Sequence, residues 1–309
     1  MKNFFRSASA QGWLSVVLRA ERVDLVHVQR AAGRQPRVLL ADSVEAGADT
    51  AATLGALRKS LKLDRYRCSA LLAKGSYQLI QTDAVPGAVD EAREMLRWKV
   101  KDQVEFPVEN AAIDVLPIPA DRATPQVFAA ISPESAVAPL VQAFQAARVP
   151  LAAIDLPELS QRNLAALFEQ DGRGLATLVF DDDSGLLTFT RGGELLVLRH
   201  VDIAARQLQV ADEERRANLF ERIALDVQRS LDNFDRVFSN VPLARLLVAP
   251  IPGVDGFLDY LRSNVTVTVE PLELAQVLDM GAVPALRDPL RQFQCLRAIG
   301  GALRDEAAA

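Results

Sequence analysis

Histidine and cysteine are almost missing from this sequence: His27, His200, Cys68 and Cys295 are the only ones in 309 residues. Neither cysteine belongs to a CxxC pair, and neither histidine has a cysteine neighbour or an HxxxH partner. That argues against a zinc site or a disulfide framework and predicts buried, free thiols. HExxH is absent, as are Ser-His-Asp and Cys-His catalytic patterns. No apolar run reaches the roughly 18 to 20 residues that cross a bilayer. The opening MKNFFRSASAQGW lacks the long apolar stretch of a signal peptide, so a cytoplasmic protein is expected. Lys2, Phe4, Phe5 and Arg6 form a basic, aromatic cluster of the kind that touches membrane surfaces. An excess of positive charge is missing too: 35 basic against 40 acidic residues leave −5, and the basic ones have acidic neighbours, which argues against a nucleic-acid groove.

What is present is apolar material, 50% of the chain, enough for a large core divided between at least two lobes. WLSVVLRAERVDLVHVQR alternates apolar and polar residues on both sides of Ala20 to Arg22 and reads as a β-hairpin. RVLLADSVE is a third strand, TAATLGALRKSLKL has helical spacing, and RCSALLAKGSYQLIQTDAVP returns to strands, so residues 1–84 run β-β-β-α-β-β. After Pro86 and Gly87, GAVDEAREMLRWKVKDQV is an amphipathic helix that stops at EFPVE, because proline disfavours helix in the residue before it. NAAIDVLPIP and PQVFAAISP are strands, and ESAVAPLVQAFQAARV is a helix despite Pro139. These make a small inserted module at residues 85–151. From residue 152 the first pattern recurs: a helix, then LATLVFDDDSGLLTFTRGGELLVLRHVD with two tight turns, and a long helix with Leu219, Ile223, Val227, Leu231 and Phe234 along one side. LARLLVAPIPG, GFLDYLRSN, VTVTVEPL and FQCLRAIGGALR add strand, helix, strand and helix. The expectation is a duplicated α/β fold with an insertion in its first half.

That organisation resembles the actin, heat-shock-chaperone and sugar-kinase superfamily, a duplicated two-lobed ribonuclease H-like fold. Within it the chain resembles the PilM and MshI family of type IV pilus assembly proteins, including those of the mannose-sensitive haemagglutinin (MSHA) pilus. The most specific match is LRWKVKDQVEFPVENAAIDV, Leu96 to Val115, which resembles the family's helix ending in an Ile-Pro-Phe-like turn before an Asp-bearing strand. VPLAAIDLPELSQRNLA, IALDVQRSL and AIGGALR support it in the same order. The resemblance implies that residues 85–151 are an insertion of the type found in the division protein FtsA. The related secretion protein GspL continues into a membrane span, which favours a separate PilM-like protein here.

Superfamily members hold nucleotide with an Asp-x-Gly hairpin in each half and a glycine-rich loop for the adenosine. Glycine is needed where backbone N–H groups approach phosphate, and the aspartate organises magnesium or water. Laid on this pattern, the first hairpin has Val17, Leu18 and Arg19, without the acid or the glycine. The second has Val179, Phe180 and Asp181, with Gly185 too late to serve. The adenosine loop reads VAPIPG, in which Pro250 and Pro252 remove two N–H donors. All three elements are degraded, so no cofactor or metal is expected and the chain is read as a pseudo-ATPase. Asp181 to Gly185 is expected to be an exposed hairpin turn using Asp, Ser and Gly chemistry.

The resemblance therefore implies a scaffold on the cytoplasmic face of the inner membrane, in the assembly platform of a type IV or MSHA-type pilus. It would bind the cytoplasmic tail of a PilN-like bitopic membrane protein and be peripheral to the membrane through that partner, with the assembly ATPase and a second copy of itself as further candidate contacts. An active ATP-binding ATPase and a filament former are the alternatives. The tail is expected in a groove between the inserted module and the first-half core, with Trp98, Val104, Phe106 and Pro107 as candidate contacts because aromatic residues bury large rigid surfaces. Packing of Trp98 and Phe106 between module and core is the competing reading.

Overall fold

The computed structural model describes residues 11–87, 89–119 and 124–304; the Lys2 to Arg6 cluster lies outside them. In chain order the elements are β1 (Trp13–Leu18), β2 (Arg22–Gln29), β3 (Arg37–Glu45), α1 (Thr50–Leu61), β4 (Arg67–Leu71), β5 (Gln78–Asp83), α2 (Val89–Lys99), β6 (Ala112–Ile118), β7 (Gln126–Ser132), α3 (Glu134–Ala147), β8 (Leu151–Asp155) and α4 (Pro157–Ala165). The second half follows with β9 (Gly174–Phe180), β10 (Gly185–Arg191), β11 (Glu194–Val201), α5 (Ala205–Val210), α6 (Glu213–Val237), β12 (Leu243–Val248), α7 (Phe257–Asn264), β13 (Val269–Pro271) and α8 (Pro289–Ala302).

The first sheet has the order β3-β2-β1-β4-β8 and the second β11-β10-β9-β12-β13. In each, the three strands of a meander pair antiparallel and the remaining two add in parallel, so the same five-strand unit occurs twice. β1 and β9 are central and covered on both faces, which is why WLSVVL and GLATLVF are apolar or small throughout rather than alternating. Aspartates open three of the long helices: Asp49, Asp212 and Asp288 accept from N–H groups of the first turns of α1, α6 and α8.

The insertion is placed differently from the expected residues 85–151. β5 leaves the first sheet and pairs with β7, giving a separate antiparallel sheet β5-β7-β6 that begins at Gln78. α3 returns to the first lobe, where Phe144 and Ala147 pack with Leu54 and Leu57 of α1, and β8 closes the first sheet beside β4. The physical reason is that parallel neighbours need a crossover, usually helical. α3 is the crossover helix from β4 to β8, and the small sheet with α2 is spliced in ahead of it.

α4 and α8 run between the two large sheets and share one apolar core with them: Val17 and Val26 from the first sheet, Leu175, Val179 and Leu247 from the second, and Leu164, Cys295 and Ile299 from the helices. The helices touch because α8 carries Gly300 and Gly301. A Cβ on Gly300 would stand 2.1 Å from the Ser160 carbonyl oxygen, and one on Gly301 would stand 2.3 Å from Ser15 Oγ. Glycine inside a helix costs about 1 kcal/mol relative to alanine, and here the close approach is what it permits.

Gly300→Ala should lower the unfolding free energy in a urea titration by about 1–3 kcal/mol, the range for overpacking. Gly55→Ala, in α1 with open space around it, should raise it by roughly 0.5–1 kcal/mol in the same titration. An unchanged Gly300→Ala curve would show that α4 and α8 separate at no cost.

Candidate functional site

The turns of the two central hairpins face each other across the cleft between the lobes, and their charges are opposite. The first turn supplies Arg19 and Arg22, both anchored on the fully buried carboxylate of Asp24, whose Oδ2 accepts from Arg19 Nε and Oδ1 from Arg22 Nε, each at 3.0 Å. Ser43 Oγ donates a third hydrogen bond to Asp24 at 2.6 Å. From this anchor both guanidinium groups reach the second turn: Arg22 Nη2 donates to Asp182 Oδ2, and Arg19 Nη1 lies 3.4 Å from the same oxygen and 4.0 Å from Asp183.

Asp181 organises the second turn. Its Oδ1 accepts from the N–H groups of Asp183 and Ser184, both at 3.1 Å, and its own N–H donates to the Ser184 carbonyl at 2.9 Å. Its Oδ2 faces Arg297 Nε of α8 at 3.2 Å, and Arg297, itself buried, also donates to Gln161 Oε1 at 2.7 Å. Burial alone would raise the Asp181 carboxyl; Arg297, Arg19 and the two turn N–H groups outweigh it and hold the group below the usual aspartate range. Turn chemistry is thus present as expected, but the turn is not an exposed one. Asp181 keeps 16% of its side-chain exposure and Asp182 37%, and only Asp183, at 69%, stands free. The signal was legible as RAER in one hairpin turn against DDDS in the other, once the two are recognised as facing equivalents.

The remaining residues of the three nucleotide elements serve packing. Val17 belongs to the shared interlobe core, and Gly185 opens β10 against the ring of Phe180, which a Cβ would approach to 2.6 Å. Between Pro250 and Pro252, Ile251 fills the second-lobe core, while the Pro252 carbonyl accepts from Gln209. The cleft lined by Arg19, Lys74, Asp181 and Arg297 holds ≈ 40 Å³, against roughly 300–1,000 Å³ for small-molecule sites. With paired guanidinium groups and carboxylates where bare backbone would have to meet phosphate, these residues do not fit a magnesium nucleotide. Among the described residues no group of three His, Cys, Asp or Glu side chains converges as a metal site.

A second cluster ties the small sheet to both lobes. Glu158 of α4 is fully buried and accepts from Tyr77 Oη at 2.6 and 2.8 Å, and His200 Nε2 of β11 lies 3.2 Å away. Burial would raise the Glu158 carboxyl, but the hydrogen bonds from His200 and Tyr77 hold it below the usual range; burial and the Glu158 charge push the Tyr77 hydroxyl upward. A lone Glu in ELSQRNLA gives no sequence hint of this. His27 is a core histidine, packed edge-on to Tyr66 with Nε2 2.9 Å from the Gln11 carbonyl, and burial lowers its pKa. Burial pushes the free thiols of Cys68 and Cys295 up to about 12.

An apolar groove of ≈ 170 Å³ lies where the small sheet meets the first lobe, lined by Leu72, Tyr77, Leu116, Ile131, Val137 and Leu159 among others. Trp98, Val104, Phe106 and Pro107 do not line it. Val104 and Phe106 pack against Val100, Val108 and Ala111 in the small sheet's own core, and Pro107 is exposed beside them. Trp98 is 55% exposed on α2, with the Lys101 ammonium 5.3 Å from its ring centre.

No protein-family model matches the chain, and no curated protein sequence is similar to it. Solved structures are similar. A PilM-PilN type IV pilus biogenesis complex matches with TM-score 0.72 and 17% identity over 94% of this chain and 97% of that one. The chain has the actin-like fold. The cytoplasmic domain of EpsL, an inner-membrane component of the type II secretion system of Vibrio cholerae, matches with TM-score 0.50 and 16% identity over 86% of this chain and 92% of that one. A Bacteroides thetaiotaomicron protein with an actin-like ATPase fold and unknown function gives 0.50 and 13% over 93% and 99%. Among the described residues no helix is long and apolar enough to cross a membrane.

Because the Asp181 carboxyl is held below its ordinary value of about 3.9, its stabilising contribution is complete above that pH and is lost as pH falls through the lowered folded value. Asp181→Asn, which leaves buried Arg297 without its charge partner, should cost about 3 kcal/mol at neutral pH, the low end for a broken buried pair. It should also flatten the loss of stability below about pH 4. Melting curves from pH 2 to 7 test this, and parallel wild-type and variant curves would remove Asp181 from the acid response.

Proposed function

We propose that this chain is a scaffold of a type IV pilus assembly platform, of the MSHA type, that docks the cytoplasmic tail of a PilN-like bitopic inner-membrane protein and does not hydrolyse ATP. The observation that carries the reading is the contrast between two hollows of the same fold. The interlobe cleft is filled by Arg19, Arg22, Asp182 and Asp181, while the groove between the small sheet and the first lobe is apolar and open. An open apolar groove beside the edge strand β6 suits an extended peptide, whose side chains find pockets while its backbone lies along the sheet. The likeness to a PilM-PilN complex supports a PilN-like tail as the occupant, and the likeness to a cytoplasmic domain of an inner-membrane secretion component supports a position on the cytoplasmic face, held there by the partner.

Isothermal titration of the purified chain with Mg-ATP should give no binding heat, and a peptide from the amino-terminal tail of the PilN-like protein encoded beside it should then bind in the same cell. Val137→Trp, which fills the groove from the α3 side, should weaken the peptide at least about tenfold, as expected for blocking a central pocket. Magnesium-dependent ATP binding at micromolar concentration would sink the scaffold reading. Unaltered peptide affinity in Val137→Trp would place the tail elsewhere.

A further inference from the structure

We infer that the segment docked in this groove is a basic one, with a lysine or arginine next to its apolar anchors that meets Glu134. The inference rests on the docking reading above and specifies the chemistry of its partner. The groove does not stop at the small sheet. Ala112 and Val137 line both the apolar part and a second hollow of ≈ 480 Å³, which continues along α3 past Asn110, Gln142 and Gln145. An extended chain seated in the first part is thereby led into the second, where side-chain amides offer donors and acceptors to its backbone.

Charge along this path has one sign. Asp114, Asp155 and Glu134 line the joined surface, and no lysine, arginine or histidine lines either part. Two of the carboxylates are already matched from outside the groove: Asp155 accepts from Arg304 Nη1 and Asp114 from Arg93 Nη2, both at 2.7 Å. Glu134 is different. It is exposed in the first turn of α3 and forms no ion pair among the described residues. An acidic segment would bring its carboxylates beside Glu134 with no cation lining the path to receive them, whereas a basic segment gains an attraction that also steers its approach. The apolar part takes bulky aliphatic side chains, so the occupant is an extended peptide with aliphatic anchors and at least one adjacent cation.

Fluorescence anisotropy on the full chain tests this with three labelled synthetic peptides that share a Leu-Leu core flanked by two arginines, two glutamines or two glutamates. The arginine peptide should bind about fivefold or more tighter than the glutamate peptide at low ionic strength. The difference should fade toward 1 M salt as the Debye length shrinks to about 3 Å. Glu134→Gln should remove most of the preference and Glu134→Lys should reverse it, while the glutamine peptide changes little in either. Equal affinity for all three peptides, or the glutamate peptide binding best, overturns the charge assignment and leaves groove docking standing. Failure of every peptide to bind, or binding that ignores Val137→Trp, overturns the docking reading and the charge assignment with it.

Discussion

The two lobes are held in register by arginines that stand between carboxylates of opposite lobes. Arg19 and Arg22 lean on Asp24 behind them and on Asp182 in front, and Arg297 joins Asp181 to the helix that crosses the interface. Buried ion pairs contribute little net stability once desolvation is counted, but they tolerate few alternative geometries. Their effect here is to fix one separation of the two hairpin turns. The apolar core shared by α4, α8 and both sheets supplies the adhesion, and the charges select the alignment.

That division explains what the cleft has become. A nucleotide bridging two lobes needs glycine turns so that its phosphates can be approached by bare backbone. In this chain the bridge is made by side chains from the turns themselves. The place of greatest charge density in the molecule is therefore internally neutralised, and the open apolar surface lies elsewhere, at the root of the small sheet. Tyr77 belongs to both regions: it lines the groove and the cleft, and its hydroxyl is held by the interlobe carboxylate of Glu158.

Much of the fold was legible because periodicity and repetition are local signals. WLSVVLRAERVDLVHVQR and LATLVFDDDSGLLTF announce hairpins without any knowledge of what surrounds them. Sheet membership is not local. QLIQTD reads as a strand equally well beside β4 or in a separate sheet, and only the requirement that β4 and β8 be joined through α3 decides the matter. The site was half legible for the same reason. Loss of the glycines could be read directly from VLR and VFD, yet the burial of Asp181 depends on Arg297, which is 116 residues away. Trp98 and Phe106 drew attention by size, whereas the groove is lined by Leu, Ile and Val residues whose exposure is set by two elements meeting, a relation with no signature in either.

The close packing at Gly300 and Gly301 bears on the order in which the molecule is completed. The cover for β1 and β2 is supplied by residues 289–302, at the other end of the described chain, and Arg30 reaches the carbonyl of Leu303 beyond that helix. Chains fold from the amino terminus as they emerge from the ribosome, but this first sheet stays uncovered on one face until synthesis is nearly finished. Nascent chains of this protein therefore carry an open apolar sheet for most of their translation. Premature termination anywhere before residue 289 yields a product with its central strands bare, a substrate for chaperones and proteases rather than a smaller working lobe.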